Sequence, residues 1–219
     1  YVMELLEGPT LEQFVVDHGP MPPERVVHVL GQICDALADA HERGLIHRDM
    51  KPGNVMLCRR GLEPDFVKVV DFGMVHEVRV QSPRLTGEHT FAGTPGYVAP
   101  EFARGDRTDA RADLYGVGAI GYWMLAGTRA FAGENAMEVV LRQLQEDPVP
   151  PSAHDRPEIP GWLDALILRC LSRDPAERPR SARELQQLLS DGDLAARWTR
   201  ERADRWWSEA EAGALHRES

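Results

Sequence analysis

Cysteine is scarce in this chain: Cys34, Cys58 and Cys170 are odd in number and far apart. Such spacing gives neither a disulfide framework nor a zinc-ligand pattern, and free thiols in a reducing cytoplasm are expected. Long apolar runs are absent too. The longest, Val117 to Ala126, falls short of the roughly 18 residues a membrane span requires and reads as a buried helix. The opening residues carry Glu4 and Glu7 without a basic leader, so they do not read as a secretory signal. Positive charge is in deficit. With 25 Lys and Arg against 35 Asp and Glu, the net charge of −10 weighs against nucleic acid as a partner and mildly favours basic polypeptides. What is present, 219 residues at 42% hydrophobic content, suits one domain with a sizeable core.

Apolar periodicity predicts mainly helix. Leu11 to Asp17 forms a short helix capped by Thr10 with Gln13, broken by Gly19-Pro20. A long helix runs from Pro22 to Arg43 on the stripe Val26, Val29, Leu30, Ile33, Leu37 and Ala40, and ends at Gly44. Leu45-Ile46 and Val55-Met56-Leu57 read as short strands, as does Val67 to Val70. Further helices are expected at Ala112 to Leu125, Asn135 to Glu146, Trp162 to Leu171 and Ala182 to Leu189. After Ser190 the pattern changes to a charged helix with Trp198, Trp206 and Trp207. Its indoles are expected to pack on the rest of the chain; a juxtamembrane or partner-binding segment is the alternative.

The chemistry concentrates in His47-Arg48-Asp49-Met50-Lys51-Pro52-Gly53-Asn54. This run places a carboxylate, a cation and a neutral amide oxygen close together, which suits phosphoryl transfer: a base for a hydroxyl, a point charge for phosphate and a ligand for a hard cation. The predicted strand at Val67 runs directly into Asp71-Phe72-Gly73, where Gly73 permits a turn. Gly93-Thr94-Pro95-Gly96-Tyr97-Val98-Ala99-Pro100-Glu101 follows. In order and spacing these three stretches are the H-R-D-x-x-x-x-N, D-F-G and A-P-E signatures of protein kinases. The chain therefore resembles the eukaryotic-type protein kinase family in its serine/threonine, bacterial-like form.

The resemblance covers residues 1 to about 190 and implies a partial catalytic domain, hinge plus C-terminal lobe, followed by a tail at 191–219. The implied fold is mainly α, α+β overall, with short strands. By similarity Asp49 is the catalytic base, Lys51 reaches the γ-phosphate of ATP, and Asn54 and Asp71 bind Mg²⁺ (or Mn²⁺). Thr94 hydrogen-bonds toward Asp49 and Lys51, Met3 is the gatekeeper, the backbones of Glu4 and Leu6 meet adenine, and Met56 forms its floor. Asp113 is implied to accept backbone N–H bonds near His47 and Arg48, and Arg178 to pair with Glu101. The glycine-rich loop, V-A-I-K lysine and αC glutamate of the family do not precede Tyr1, so a fragment lacking the N-terminal lobe, with weak activity by itself, is expected.

The segment from Asp71 to Glu101 is rich in Thr and Gly. Arg48 could receive a phosphate placed on Thr86 or Thr90, with Ser82 a weaker acceptor. The implied substrates are proteins with Ser/Thr acceptors, and the implied setting is the cytoplasm, including the cytoplasmic part of a membrane-anchored parent whose anchor lies in segments outside this chain. Two alternatives remain: a non-catalytic pseudokinase scaffold, and a kinase-like enzyme acting on small molecules.

Overall fold

The computed structural model describes residues 6–61, 63–72 and 94–215. Met3, Glu4, Gly73, Ser82, Thr86 and Thr90 lie outside the described residues, as do the roles implied for them.

The N-terminal helix α1 (Leu11–His18) begins as its capping box dictates. Gln13 N–H donates to the Thr10 hydroxyl at 3.2 Å, and Thr10 N–H donates to Gln13 Oε1 at 2.9 Å. Helix α2 (Pro23–Glu42) buries Val26, Val29, Leu30, Ile33, Leu37 and Ala40, the stripe read from the sequence. Its end departs from expectation. Leu45 N–H turns back to the Ala40 carbonyl, leaving Leu45 exposed and Leu45-Ile46 outside any strand. A carbonyl-capping turn there uses the donor that a strand ladder would need.

Strands β1 (Val55–Arg60) and β2 (Glu63–Val69) pair antiparallel, Val55 opposite Val69, and form the two-stranded sheet of the described residues. Both strands are longer than their sequence patterns. The short helix α3 (Pro100–Arg104), which the sequence reading missed, is followed by α4 (Arg111–Ala126), α5 (Ala136–Gln145), α6 (Gly161–Cys170), α7 (Ala182–Ser190) and α8 (Arg200–Leu215). Asn135 and Ser181 cap α5 and α7 through their side chains.

Helix α4 is apolar nearly all round and therefore occupies the middle of the core. Its letters Gly116-Val117-Gly118-Ala119-Ile120-Gly121 spell a G-x-G-x-x-G, but the glycines serve packing. A Cβ on Gly116 would stand 2.6 Å from Met50 Cβ, one on Gly118 2.5 Å from Cys170 Cβ, and one on Gly121 2.5 Å from Ile167 Cδ1. Bare backbone thus lets α4 approach the loop 47–54 and α6 together. Cys34 and Cys170 are buried in this core as free thiols, and Cys58 is buried in β1. Burial pushes the Cys170 thiol up to about 12 and raises Cys34 strongly.

Candidate active site

The loop between α2 and β1 is held from below by one carboxylate. Asp113, almost fully buried near the start of α4, accepts the N–H of His47 at Oδ2 (2.8 Å) and of Arg48 at Oδ1 (2.7 Å). His41, from the last turn of α2, adds its Nε2 to Oδ2 at 2.8 Å. These bonds supply the donors that a buried carboxylate requires. They also fix Arg48 at φ +65°, a left-handed conformation unusual for a long side chain.

His47 ties the loop to the end of β2. Its Nε2–H donates to the Val70 carbonyl (2.9 Å), leaving Nδ1 to accept the Asp49 N–H (3.3 Å). The Phe72 ring meets the His47 ring edge-on with centroids 4.8 Å apart. Val70 N–H in turn donates to the Asn54 carbonyl at 2.9 Å. The two sequence motifs are thereby bolted together at both faces of Val70.

Within the loop, Lys51 Nζ donates to Asp49 Oδ2 at 2.6 Å. Asn54 Nδ2 donates to the Asp49 carbonyl (2.8 Å) and to Asp49 Oδ2 (3.0 Å). A single turn of 3₁₀ helix, Pro52–Asn54, brings Asn54 back to Asp49. The Asp49 side chain remains 42% exposed, so a solvent-side reactant can reach it.

The Asn54 nitrogen is committed to Asp49, which leaves its Oδ1 as the atom a cation would take. Asp71 is exposed at φ +63°, and its carboxylate has no hydrogen-bond or ion-pair partner among the described residues. One carboxylate and one amide oxygen suit Mg²⁺, which keeps several waters and takes the rest of its shell from substrate phosphates. No cluster of three or more His, Cys, Asp and Glu that could hold a metal occurs among the described residues.

Other expected residues distribute unevenly. Thr94 is half-buried, and no hydrogen bond among the described residues joins its hydroxyl to Asp49 or Lys51. Leu6 is half-buried; Met56 is half-buried in β1, where it bridges Thr10. The Arg48 guanidinium is exposed and unpartnered among the described residues. With Phe102, Arg107 and Thr108 it lines a depression of about 280 Å³.

Glu101 and Arg178 meet as expected, through two parallel bonds of 2.7 Å in nearly complete burial. Arg178 also donates to the carbonyls of Ser172 (2.9 Å) and Arg111 (3.0 Å), and its guanidinium lies over the Tyr115 ring. Burial pushes the Tyr115 phenol up to about 12, and its oxygen accepts Gln143 Nε2 at 2.8 Å. Gln143 further accepts Gly96 N–H (3.2 Å) and donates to the Val98 carbonyl (3.1 Å), fixing the end of the 94–101 segment on α4 and α5. Neither His41 nor Gln143 was found by sequence reasoning. Each was visible as a polar residue four positions from an apolar one on a buried stripe, Leu37 and Val139.

A carboxylate, an ammonium and an amide meet at one loop, beside a strand end whose carboxylate has no partner among the described residues, and such a set suits phosphoryl transfer. Comparison with known proteins gives the class a family. The protein kinase domain model matches residues 1–189. Serine/threonine-protein kinase pkn3 of Myxococcus xanthus is 41% identical over 199 residues, 89% of this chain and 36% of that protein. PknB of Mycobacterium tuberculosis is 38% identical over 84% of this chain and 29% of that protein. Among solved structures, Rad53 1–466 in complex with AMP-PNP superposes with TM-score 0.70 at 26% identity, over 89% of this chain and 46% of that one. The M. tuberculosis PknI kinase domain does so with TM-score 0.65 at 27% identity, over 86% and 63%. The chain belongs to the protein kinase family, with bacterial serine/threonine kinases of the PknB type among its relatives, and has the protein kinase fold. It spans about a third of the length of the curated relatives it matches.

Proposed function

We propose that this chain is the hinge and C-terminal lobe of a serine/threonine protein kinase, residues 1–190, with a tail from 191 onward. The observation that carries the reading is Asp49 held between Lys51 Nζ at 2.6 Å and Asn54 Nδ2 at 3.0 Å, on a loop clamped by Asp113. In this reading Asp49 accepts the proton of a Ser or Thr hydroxyl and orients its oxygen. Lys51 neutralises charge on the transferred phosphoryl group, and Asn54 Oδ1 with Asp71 holds Mg²⁺ or Mn²⁺. Bound metal–ATP supplies the phosphoryl group and the electrophilic charge. The chain's own contribution is positioning: Asp113 and His47 fix Asp49, while Glu101–Arg178 and Gln143 fix the platform on which a protein substrate lies.

Thr94 takes its expected bonds to Asp49 and Lys51 when substrate is present, and Met3, Glu4, Leu6 and Met56 contact adenine. Arg48, whose guanidinium has no partner among the described residues, receives a phosphate on Thr86 or Thr90. The setting is the cytoplasm, including the cytoplasmic part of a membrane-anchored parent. Among the described residues no helix is long and apolar enough to cross a membrane.

The test is a chimera that places the N-terminal lobe of pkn3 before this chain, assayed with Mg–ATP and a basic acceptor protein. Phosphoserine or phosphothreonine is expected, with Asp49→Asn lowering the rate by about 10²- to 10⁴-fold. A folded chimera without transfer supports the scaffold reading, and transfer that survives Asp49→Asn excludes Asp49 as the base.

A further inference from the structure

The segment after the family match, which ends at residue 189, is built into the protein. Its anchor is Asp65 at the start of β2, fully buried together with Arg25. Each Asp65 oxygen takes one guanidinium and one indole donor. Oδ1 accepts Arg25 Nη2 (2.7 Å) and Trp207 Nε1 (2.8 Å); Oδ2 accepts Arg25 Nε (2.9 Å) and Trp198 Nε1 (2.9 Å). The Arg25 guanidinium lies over the rings of Trp206 at 4.1 Å and Phe14 at 4.4 Å. Leu194, Trp198 and Ala203 are buried, and α8 packs on β2.

We propose that residues 191–215 brace the strand that carries the metal-binding Asp71, with Arg25, Trp198 and Trp207 as positioning residues acting through Asp65. The proposal rests on the kinase reading only for the role of Asp71. A two-stranded antiparallel pair is at best marginally stable alone, so β2 needs support from outside the sheet. At its start that support is Asp65, whose φ of +55° is held by the four donors. The Asp65 carbonyl accepts Gln32 Nε2 (2.8 Å), and Gln32 Oε1 accepts Val67 N–H (3.1 Å), so the same anchor fixes the strand's entry to α2. At its far end the strand delivers Val70, gripped by His47 and Asn54, and then Asp71. A shift at Asp65 is carried along six residues of extended chain to the loop of Asp49. The tail thus supplies from sequence position 198 onward two of the four donors to the Asp65 carboxylate.

Hydrogen exchange of the 219-residue chain tests this directly. In Trp198→Phe/Trp207→Phe, which keeps the aromatic area and removes both donors, protection at residues 200–210 is expected to fall by an order of magnitude or more. Protection of the Val70 amide is expected to fall severalfold with it. Asp65→Asn should reproduce the pattern. Leu163→Ala, a core change in α6, serves as the control: at matched global stability it should leave Val70 relatively protected. The brace is overturned if Val70 responds only as global stability does in all variants, or if the tail amides are unprotected in the unaltered chain. Neither outcome depends on whether the protein transfers phosphate.

Discussion

Asp113 holds Arg48 in a left-handed backbone conformation, its Oδ1 accepting the Arg48 N–H at 2.7 Å with φ at +65°. A strained residue of this kind persists only when its surroundings over-determine it, at a cost of about 1–3 kcal/mol. The Asp113 bonds to His47 and Arg48 offset that cost and set the direction of the 47–54 loop.

Replacing Asp113 by Asn keeps the size but turns an amide donor toward one of the backbone N–H groups. A loss of about 1–3 kcal/mol in folding stability is expected, read from the urea midpoint at unchanged slope. Asp113→Ala should cost more, since the N–H groups of His47 and Arg48 and the His41 imidazole all lose their partner.

Removing one member of the Glu101–Arg178 pair leaves the other charge buried. Glu101→Gln or Arg178→Met is expected to destabilise by about 3–5 kcal/mol. Exchanging both together for apolar residues of similar volume should cost less than the sum of the two single changes. A double-mutant cycle by chemical denaturation checks this; additive losses would mean that the pair is not coupled.

Gly116→Ala adds a methyl group 2.6 Å from Met50 Cβ and 2.9 Å from the Met50 carbonyl oxygen. The atoms met are the Cβ and backbone of Met50 and not the far end of a flexible side chain, so the loop must shift. The expected loss is about 1–3 kcal/mol, with chemical-shift changes at residues 47–54 that Gly31→Ala, facing open space, does not produce.

Cys34 and Cys170 should resist iodoacetamide at pH 8 in the native protein. Burial excludes the reagent and raises both thiols, Cys170 to about 12, so the nucleophilic thiolate is withheld on two counts. Mass spectrometry should find both alkylated only after unfolding. Raising the pH toward 10 should increase labelling far less than for a free thiol.

Much of the site was legible because its parts are local. Asp49, Lys51 and Asn54 lie within one turn-forming stretch, where the proline and 3₁₀ turn bring them together, although the loop as a whole is held by the distant Asp113 and Val70. The capping box of α1 and the buried stripe of α2 follow from spacing alone. The Asp113 and Glu101–Arg178 contacts came from family likeness rather than from any pattern in the chain, and the structure shows both. Leu45-Ile46 failed as a strand because its apolar pair resembles an edge, while the Leu45 N–H is spent on the Ala40 carbonyl at the end of α2.

By itself the sequence determined the family motifs and most of the helices, since those depend on residues a few positions apart. Only the tertiary structure decided which polar groups are buried together. Asp65 finds Arg25 at 40 residues' separation, Trp198 at 133 and Trp207 at 142, and Gln143 finds Gly96 at 47. No periodicity encodes such meetings. A buried carboxylate must collect its donors from whatever elements the core brings beside it, and that assembly exists only once the helices have packed.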